Sequence, residues 1–225
     1  MTTVKENIKP ELGKGIYTIP DAAVILNLPK EKVRRWVKKY WEMEFLHNNH
    51  YYTWGTGRER AINFFTLMEI ITVHSLREIG VSFPTIKQAH EGLAKILETE
   101  YPFAHARLMS DGSKIFYEYD KSLLQLDKKQ QFSFKKLVEP YCKKIDFHTR
   151  TLMAERFWPL GKNHNVVVDP HHGLGQPVIS GTNISVFTII NLIKAGETTS
   201  FIASVYELSK DKVEDARIFM KRIAA

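Results

Sequence analysis

Residues 17 to 41, YTIPDAAVILNLPKEKVRRWVKKYW, carry two helical patterns that a proline keeps apart. Thr18 with Asp21 three residues later is a variant of the capping box, and Pro20 falls in the first turn, where its missing N–H costs nothing. Ala22, Ala23, Ile25 and Leu26 give a short apolar face, which Asn27-Leu28-Pro29 ends. A second helix is predicted over residues 30 to 40, with Val33, Trp36 and Val37 at i, i+3, i+4 turned to a core. Its other faces hold Lys30, Lys32, Arg34, Arg35, Lys38 and Lys39, and Glu31 is the one acid in that window. Intrahelical pairing cannot neutralise so many cations. Two short helices, a tight turn and a basic second helix predict a helix-turn-helix, which lays the second helix in a DNA major groove. The six cations are the first candidates for DNA contact.

The next segment, HNNHYYTWGTGRERAINFF (47 to 65), alternates apolar and polar residues around Gly55 and Gly57. It is predicted to be a β-hairpin tipped by Arg58 and Arg60, a wing placed to touch phosphates beside the groove. His47 and His50 have H-x-x-H spacing, but no cysteine or carboxylate near them completes a metal set. Then comes FTLMEIITVHSLREIGVSFPTIKQA. Across residues 16 to 98 the chain resembles the winged helix-turn-helix of MerR-type regulators. Leu76, Arg77, Glu78, Gly80 and Ser82 occupy that family's Leu-Arg-Glu-x-Gly-x-Ser joint between two helices. The resemblance implies DNA binding. The cysteines of the family's metal and thiol sensors are absent, and no long dimerising coiled coil follows.

Composition bounds the rest. At 225 residues, 44% hydrophobic and 25% charged, the chain has room for one or two globular domains. The formal charge of +7 lies entirely before residue 166, because residues 166 to 225 carry equal numbers of cations and anions. A basic front and a neutral back suggest two kinds of partner. The single cysteine, Cys142, excludes an internal disulfide and a thiolate-cluster metal site. No stretch approaches the roughly 18 apolar residues of a membrane span, so no membrane partner and a cytoplasmic location are expected.

The expected organisation is mainly α (α+β). Residues 1–15 are read as a flexible tail, 16–99 as the winged helix-turn-helix, 100–165 as a β-rich connector and 166–225 as a small helical domain. In the connector, Asp111-Gly112 predicts a hairpin. A helix with Phe134, Leu137, Val138 and Tyr141 on one side follows, limited by Pro140. A second hairpin is predicted with its turn near Gly161-Lys162-Asn163. The connector's cations, Lys128, Lys129, Lys135, Lys136, Lys143 and Lys144, are interleaved with acids and read as a solvated face.

The stretch DPHHGLGQPVISGT (169 to 182) most resembles a site. Gly173 and Gly175 give only the start of a dinucleotide loop, since Val178 stands where the third glycine belongs and Pro177 cannot donate an N–H. His171 and His172 are neighbours, which in an extended chain point to opposite sides. Ser180 and Cys142 lack any local setting that activates a nucleophile. The stretch is read as a strand and turns, with glycines supplying positive φ.

After Thr182 three short helices are predicted, together forming a small bundle. The first carries Val186, Ile189, Ile190 and Ile193, with Gly196 as its cap. The second begins near Thr198 or Thr199 and turns Phe201, Ile202 and Val205 inward. Ser209 caps the third, which buries Val213, Ala216, Met220 and Ile223. The last two have helix-turn-helix spacing, but Asp211, Glu214 and Asp215 would repel phosphates, so protein binding fits better. The segment GQPVISGTNISVFTIINLIKAGETTSFIASVYELSKDKVEDARIF resembles the helical domain of VapB-type antitoxins, which opens on G-x-P-x-I-x-G-T-x-I. Gly175, Pro177, Ile179, Gly181, Thr182 and Ile184 fill that pattern. The resemblance implies an antitoxin that pairs with a PIN-like ribonuclease toxin, and such antitoxins carry a MerR-like winged helix in front.

The sequence therefore predicts a type II antitoxin. It would bind operator DNA through the front as a homodimer and the toxin through the back. The alternative is a stand-alone MerR-like regulator whose back domain binds a ligand or dimerises. Neither enzymatic activity nor a cofactor is expected, because no acid/base, metal or phosphate constellation stands out. Ile184, Phe187, Phe201, Tyr206 and Phe219 exceed what so small a bundle needs, so some of them are expected at the toxin surface.

Overall fold

Thr18 starts the first helix by the predicted capping box. Its Oγ1 accepts from the Asp21 N–H at 3.3 Å, and its own N–H donates to Asp21 Oδ2 at 3.0 Å. The structure is a computed structural model that describes residues 11, 13–45, 51–78, 80–106, 108 and 142–222. Strand β1 (Tyr17–Thr18) leads into helix α1 (Ile19–Leu26), which Asn27 closes at φ 56° before Pro29 opens α2 (Lys30–Trp36). Val33, Trp36 and Val37 are buried as their spacing requires.

The second helix does not stop near residue 40. It widens into a π-helix, Val37–Glu44, closed by a bond from Phe45 N–H to the Tyr40 carbonyl at 2.8 Å. A π-turn holds one more residue than an α-turn, and here it sends Tyr40, Trp41 and Phe45 together into the core. Tyr40 stacks on Phe83 with ring centroids 4.0 Å apart, and Phe45 on His90 at 4.2 Å. No 3.6-residue pattern predicts that grouping.

Strands β2 (Thr53–Trp54) and β3 (Ala61–Ile62) pair antiparallel across Gly55 and Gly57, with a 3-10 turn (Gly57–Glu59) between them. β1 adds to the other edge of β3, giving a small sheet in the order β1-β3-β2. Helices α3 (Phe64–Glu78) and α4 (Phe83–Leu97) follow. The joint between them explains its sequence. Leu76 is fully buried, Arg77 Nη1 donates to the Val81 carbonyl at 2.7 Å, Gly80 sits at φ 88°, and Ser82 caps α4.

Further on, β4 (Ile145–Phe147) pairs with β5 (Ala154–Phe157), and β6 (Val166–Val167) with β7 (Val178–Ile179). The hairpin predicted around Gly161 is reduced to one bridge, Phe157 with Val168, because each of its strands takes another partner. The hairpin at Asp111-Gly112, the helix at Phe134, Leu137, Val138 and Tyr141, the cations Lys128, Lys129, Lys135 and Lys136, the pair His47 and His50, Ile223 and most of the 1–15 tail lie outside the described residues. Helices α5 (Val186–Lys194), α6 (Thr199–Val205) and α7 (Lys210–Met220) close the chain, with Ser185, Thr198 and Ser209 as their caps and α7 lying against both others.

One continuous apolar core runs from Tyr17 to Phe219 through front and back alike. Polar contacts reinforce that joint. Arg222 donates to the Ile25 and Pro159 carbonyls at 3.0 and 2.8 Å, and Ile16 N–H donates to the Leu174 carbonyl at 3.2 Å. Gly175, at φ 85°, lies so close to the Tyr17 ring that any Cβ would strike the hydroxyl. The glycine-rich stretch thus ties the back of the molecule to the strand before α1.

Candidate nucleic-acid interface and partner-binding face

The six cations of the second helix separate into two groups. Arg34 Nη1 reaches both Glu31 carboxylate oxygens at 2.8 Å, one helical turn away. Lys32 leans over the Trp36 ring and reaches His74 at 3.3 Å and Glu78 at 3.4 Å on α3. Both are thus paired within the chain, Arg34 at the surface and Lys32 half-buried. Lys30, Arg35, Lys38 and Lys39 remain exposed, and no ion pair among the described residues holds them. Lys39 Nζ lies 5.8 Å from the Tyr40 ring centroid. A groove of about 360 Å³ runs beside them, lined by Arg35, Trp36, Lys39 and, from α3, Arg77 and Glu78.

The arginines of the β2–β3 hairpin divide in the same way. Arg58 is exposed in the turn between β2 and β3. Arg60, predicted beside it at the tip, folds back instead, with its Nε 2.6 Å from Glu42 Oε1 in a half-buried pair. Glu42 also accepts from Thr53 Oγ1 at 3.1 Å, so the pair clamps the sheet to the π-helix. The reason is that the π-helix brings Glu42 against the β2–β3 hairpin. Four helix cations and Arg58 are thus the outward, unpaired cations of these two elements among the described residues.

A buried carboxylate that the sequence reading missed sets the position of this face. Glu69 is fully buried on α3 and collects three donors: Trp41 Nε1 at 2.9 Å, Phe103 N–H at 3.2 Å and the His90 ring at Nε2, 3.0 Å away. These tie the π-helix, α3, α4 and the loop after α4 to one point. The signal was available in FTLMEIITV, where Glu69 is a lone charge within an apolar run.

The apolar candidates of the back also change their meaning. Phe219 is fully buried, because α7 packs on both α5 and α6 and turns this side chain into the core. Ile184, Phe187 and Tyr206 are partly buried against that core. Phe201 alone of the five is exposed, at 50%, and Val205 one turn later is exposed at 57%. The expectation that α6 turns Phe201 and Val205 inward is thus corrected, since Ile202 and Ala203 are its buried residues. Asp215, counted above among the charges that would repel phosphates, is buried. It accepts from Asn165 N–H and Nδ2 at 2.7 Å and lies 2.6 Å from His164 Nδ1. Burial pulls its pKa upward, but these bonds outweigh it and hold the carboxyl below the usual range.

His171 and His172 do not diverge as an extended chain would require. The turn after Pro170 bends both rings to Asp169, with Nδ1 atoms 3.4 and 3.0 Å from its carboxylate.

The C-terminal quarter of the chain has a family match. Residues 166–220 match the model described as Protein of unknown function (DUF433). Across nearly the whole chain, the protein is also similar to the Mycobacterium tuberculosis protein named Putative antitoxin VapB45. The two are 25% identical over 223 residues, spanning 89% of this chain and 92% of that relative. The fold is shared with the X-ray crystal structure of Rv2018 from Mycobacterium tuberculosis, at a TM-score of 0.69 and 21% identity, over 93% of this chain and 99% of that one. Both likenesses span front and back together. Among the described residues, no helix is long and apolar enough to cross a membrane.

Proposed function

We propose that this protein is an antitoxin that binds its own operator DNA through the front and a PIN-like ribonuclease toxin through the back. The observation that carries the reading is the near full-length similarity to the protein named Putative antitoxin VapB45. In this reading α1 and α2 form a MerR-like helix-turn-helix, and β2 and β3 form its wing. The outward cations Lys30, Arg35, Lys38 and Lys39, with Arg58 on the wing, support DNA as the partner of this face. A homodimer would present two such helices to half-sites one helical turn apart. The exposed Phe201 and Val205 on the charge-neutral back support a protein partner there.

Gel-shift titrations of the full chain over a range of salt test the DNA half. Arg35→Ala should cost about 1–3 kcal/mol on the operator if the side chain reaches a base edge. Arg58→Ala should weaken all sequences alike and lower the salt slope by about 1. Lys32→Ala and Arg60→Ala should change binding little, since both side chains are engaged within the protein. Operator binding unchanged in a combined Arg35→Ala, Lys38→Ala, Lys39→Ala variant would overturn this placement.

A further inference from the structure

A cleft of about 340 Å³ opens beside β5, β6 and β7, where the stretch from Asp169 to Thr182 crosses them. Its floor is Asp169, 5% exposed. Oδ2 accepts from Arg156 Nε at 3.1 Å and lies 3.0 Å from His172 Nδ1, while Oδ1 accepts from the His171 N–H at 2.9 Å. Burial alone would push this carboxyl up. The His171 N–H, His172 and Arg156 outweigh that and hold it below the usual carboxylate range. Among the described residues Asp169 is the one acid lining the cleft, and its charge is already spent on neighbours. A cation would find no carboxylate to bind.

What the cleft offers instead is donors. Arg156 is committed through Nε alone, so its two Nη groups make no hydrogen bond among the described residues, and the side chain is 47% exposed. His172 faces Asp169 through Nδ1, so on the neutral ring its Nε2 is an acceptor and adds no donor for an anion. Asn183, exposed at the rim, has a side-chain amide with no partner among the described residues. Trp158 forms one wall. Its Nε1 donates to Asp146 Oδ2 at 2.7 Å, and Asp146 is itself held by Lys162 at 2.6 Å, so the indole keeps a fixed plane.

We propose that this cleft binds a nucleotide, with its phosphate on Arg156 and Asn183 and its base against the Trp158 indole. A guanidinium oriented by a buried carboxylate presents a planar donor fork, which matches phosphate oxygens. Stacking on an aromatic wall suits any base. The volume stands at the small end of ligand sites, which fits one nucleotide and excludes a duplex. Catalysis fits less well. Asp169, His172 and Ser180 are the residue types of a nucleophilic triad and share the cleft, yet Ser180 Oγ makes no hydrogen bond to His172 among the described residues. The nucleotide is supplied either free or as one unit of single-stranded RNA, and the recognising chemistry is the same. This assignment is independent of the antitoxin reading.

Isothermal titration and tryptophan-fluorescence quenching on the full chain test it, using the four ribonucleoside monophosphates, inorganic phosphate and a single-stranded hexaribonucleotide. Saturable binding of a monophosphate at one site is expected, weakened at least tenfold by Arg156→Gln and by Asn183→Asp. Asn183→Asp places an anion at the rim without touching the core, and an unchanged unfolding transition verifies its fold. Trp158→Phe should lose most of the quenching. A hexamer that binds more tightly than any monophosphate assigns the source to RNA, and the reverse assigns it to a free nucleotide. Inorganic phosphate binding as tightly as every monophosphate overturns the base contact. Binding indifferent to Arg156→Gln and Asn183→Asp, or no saturable binding at millimolar ligand, overturns the site.

Discussion

Replacing Glu69 tests how the basic helix and the π-helix that continues it are held. Its carboxylate is fully buried and satisfies Trp41 Nε1, Phe103 N–H and the His90 ring at 2.9, 3.2 and 3.0 Å. Each buried donor left unpaired costs about 1–3 kcal/mol, and breaking a buried pair by deleting one partner costs about 3–5 kcal/mol. Glu69→Ala should therefore lose about 3–5 kcal/mol, a large share of the 5–15 kcal/mol typical of a folded domain. Glu69→Gln keeps the shape. It can leave one oxygen for His90 and Phe103, but it turns an amide N–H towards the Trp41 N–H, at a cost of about 1–3 kcal/mol. Trp41→Phe removes that opposing donor, so the double variant should lose less than the two single losses combined, with a coupling of about 1 kcal/mol. Urea unfolding followed by far-UV circular dichroism reads all four proteins. A Glu69→Ala loss below about 1 kcal/mol, or strict additivity of the pair, would refute the network.

Gly175→Ala should destabilise by more than about 2 kcal/mol, since it combines a left-handed φ of 85° with a clash on Tyr17, whereas Gly173→Ala should cost about 1 kcal/mol. Tyr17→Phe should be neutral or stabilising, because its buried hydroxyl has no partner among the described residues, and it should recover part of the Gly175→Ala loss in urea titrations. Asp215 has a lowered folded pKa, so its contribution is complete above the unfolded value of about 3.9 and is lost as pH falls through the folded one. Asp215→Asn should thus be less stable at neutral pH and show a flatter stability curve below about pH 4, measured by thermal unfolding across pH.

The sequence disclosed those parts of the molecule whose cause is local. The capping box at Thr18, the break at Asn27, the joint at Gly80 and Ser82, and the caps at Ser185, Thr198 and Ser209 each depend on neighbours within a few residues. What stayed hidden depends on distant partners. Nothing in residues 37 to 44 announces a π-helix, because its aromatic side chains are grouped by Phe83 and His90 on α4. Arg60 and Lys32 read as open cations until Glu42 and Glu78 come beside them. Phe219 and Phe201 look alike in sequence, and only the packing of α7 on its neighbours buries one and exposes the other. The cleft over Asp169 needs a turn that gathers two adjacent histidines on one carboxylate, which alternation along an extended chain argues against.

Ribonuclease inhibition tests the central claim most directly. The antitoxin reading expects a PIN-like ribonuclease encoded beside this chain, and RNA cleavage by that enzyme can be titrated with the purified full-length protein. Near-stoichiometric inhibition is predicted. A combined Phe201→Asp, Val205→Asp variant should lose it while keeping its helical content and its operator shift, because both side chains are exposed on α6 and far from α2 in the chain. Cleavage that the full chain leaves untouched would contradict the antitoxin assignment, and full inhibition by the double variant would contradict the α6 face as its surface.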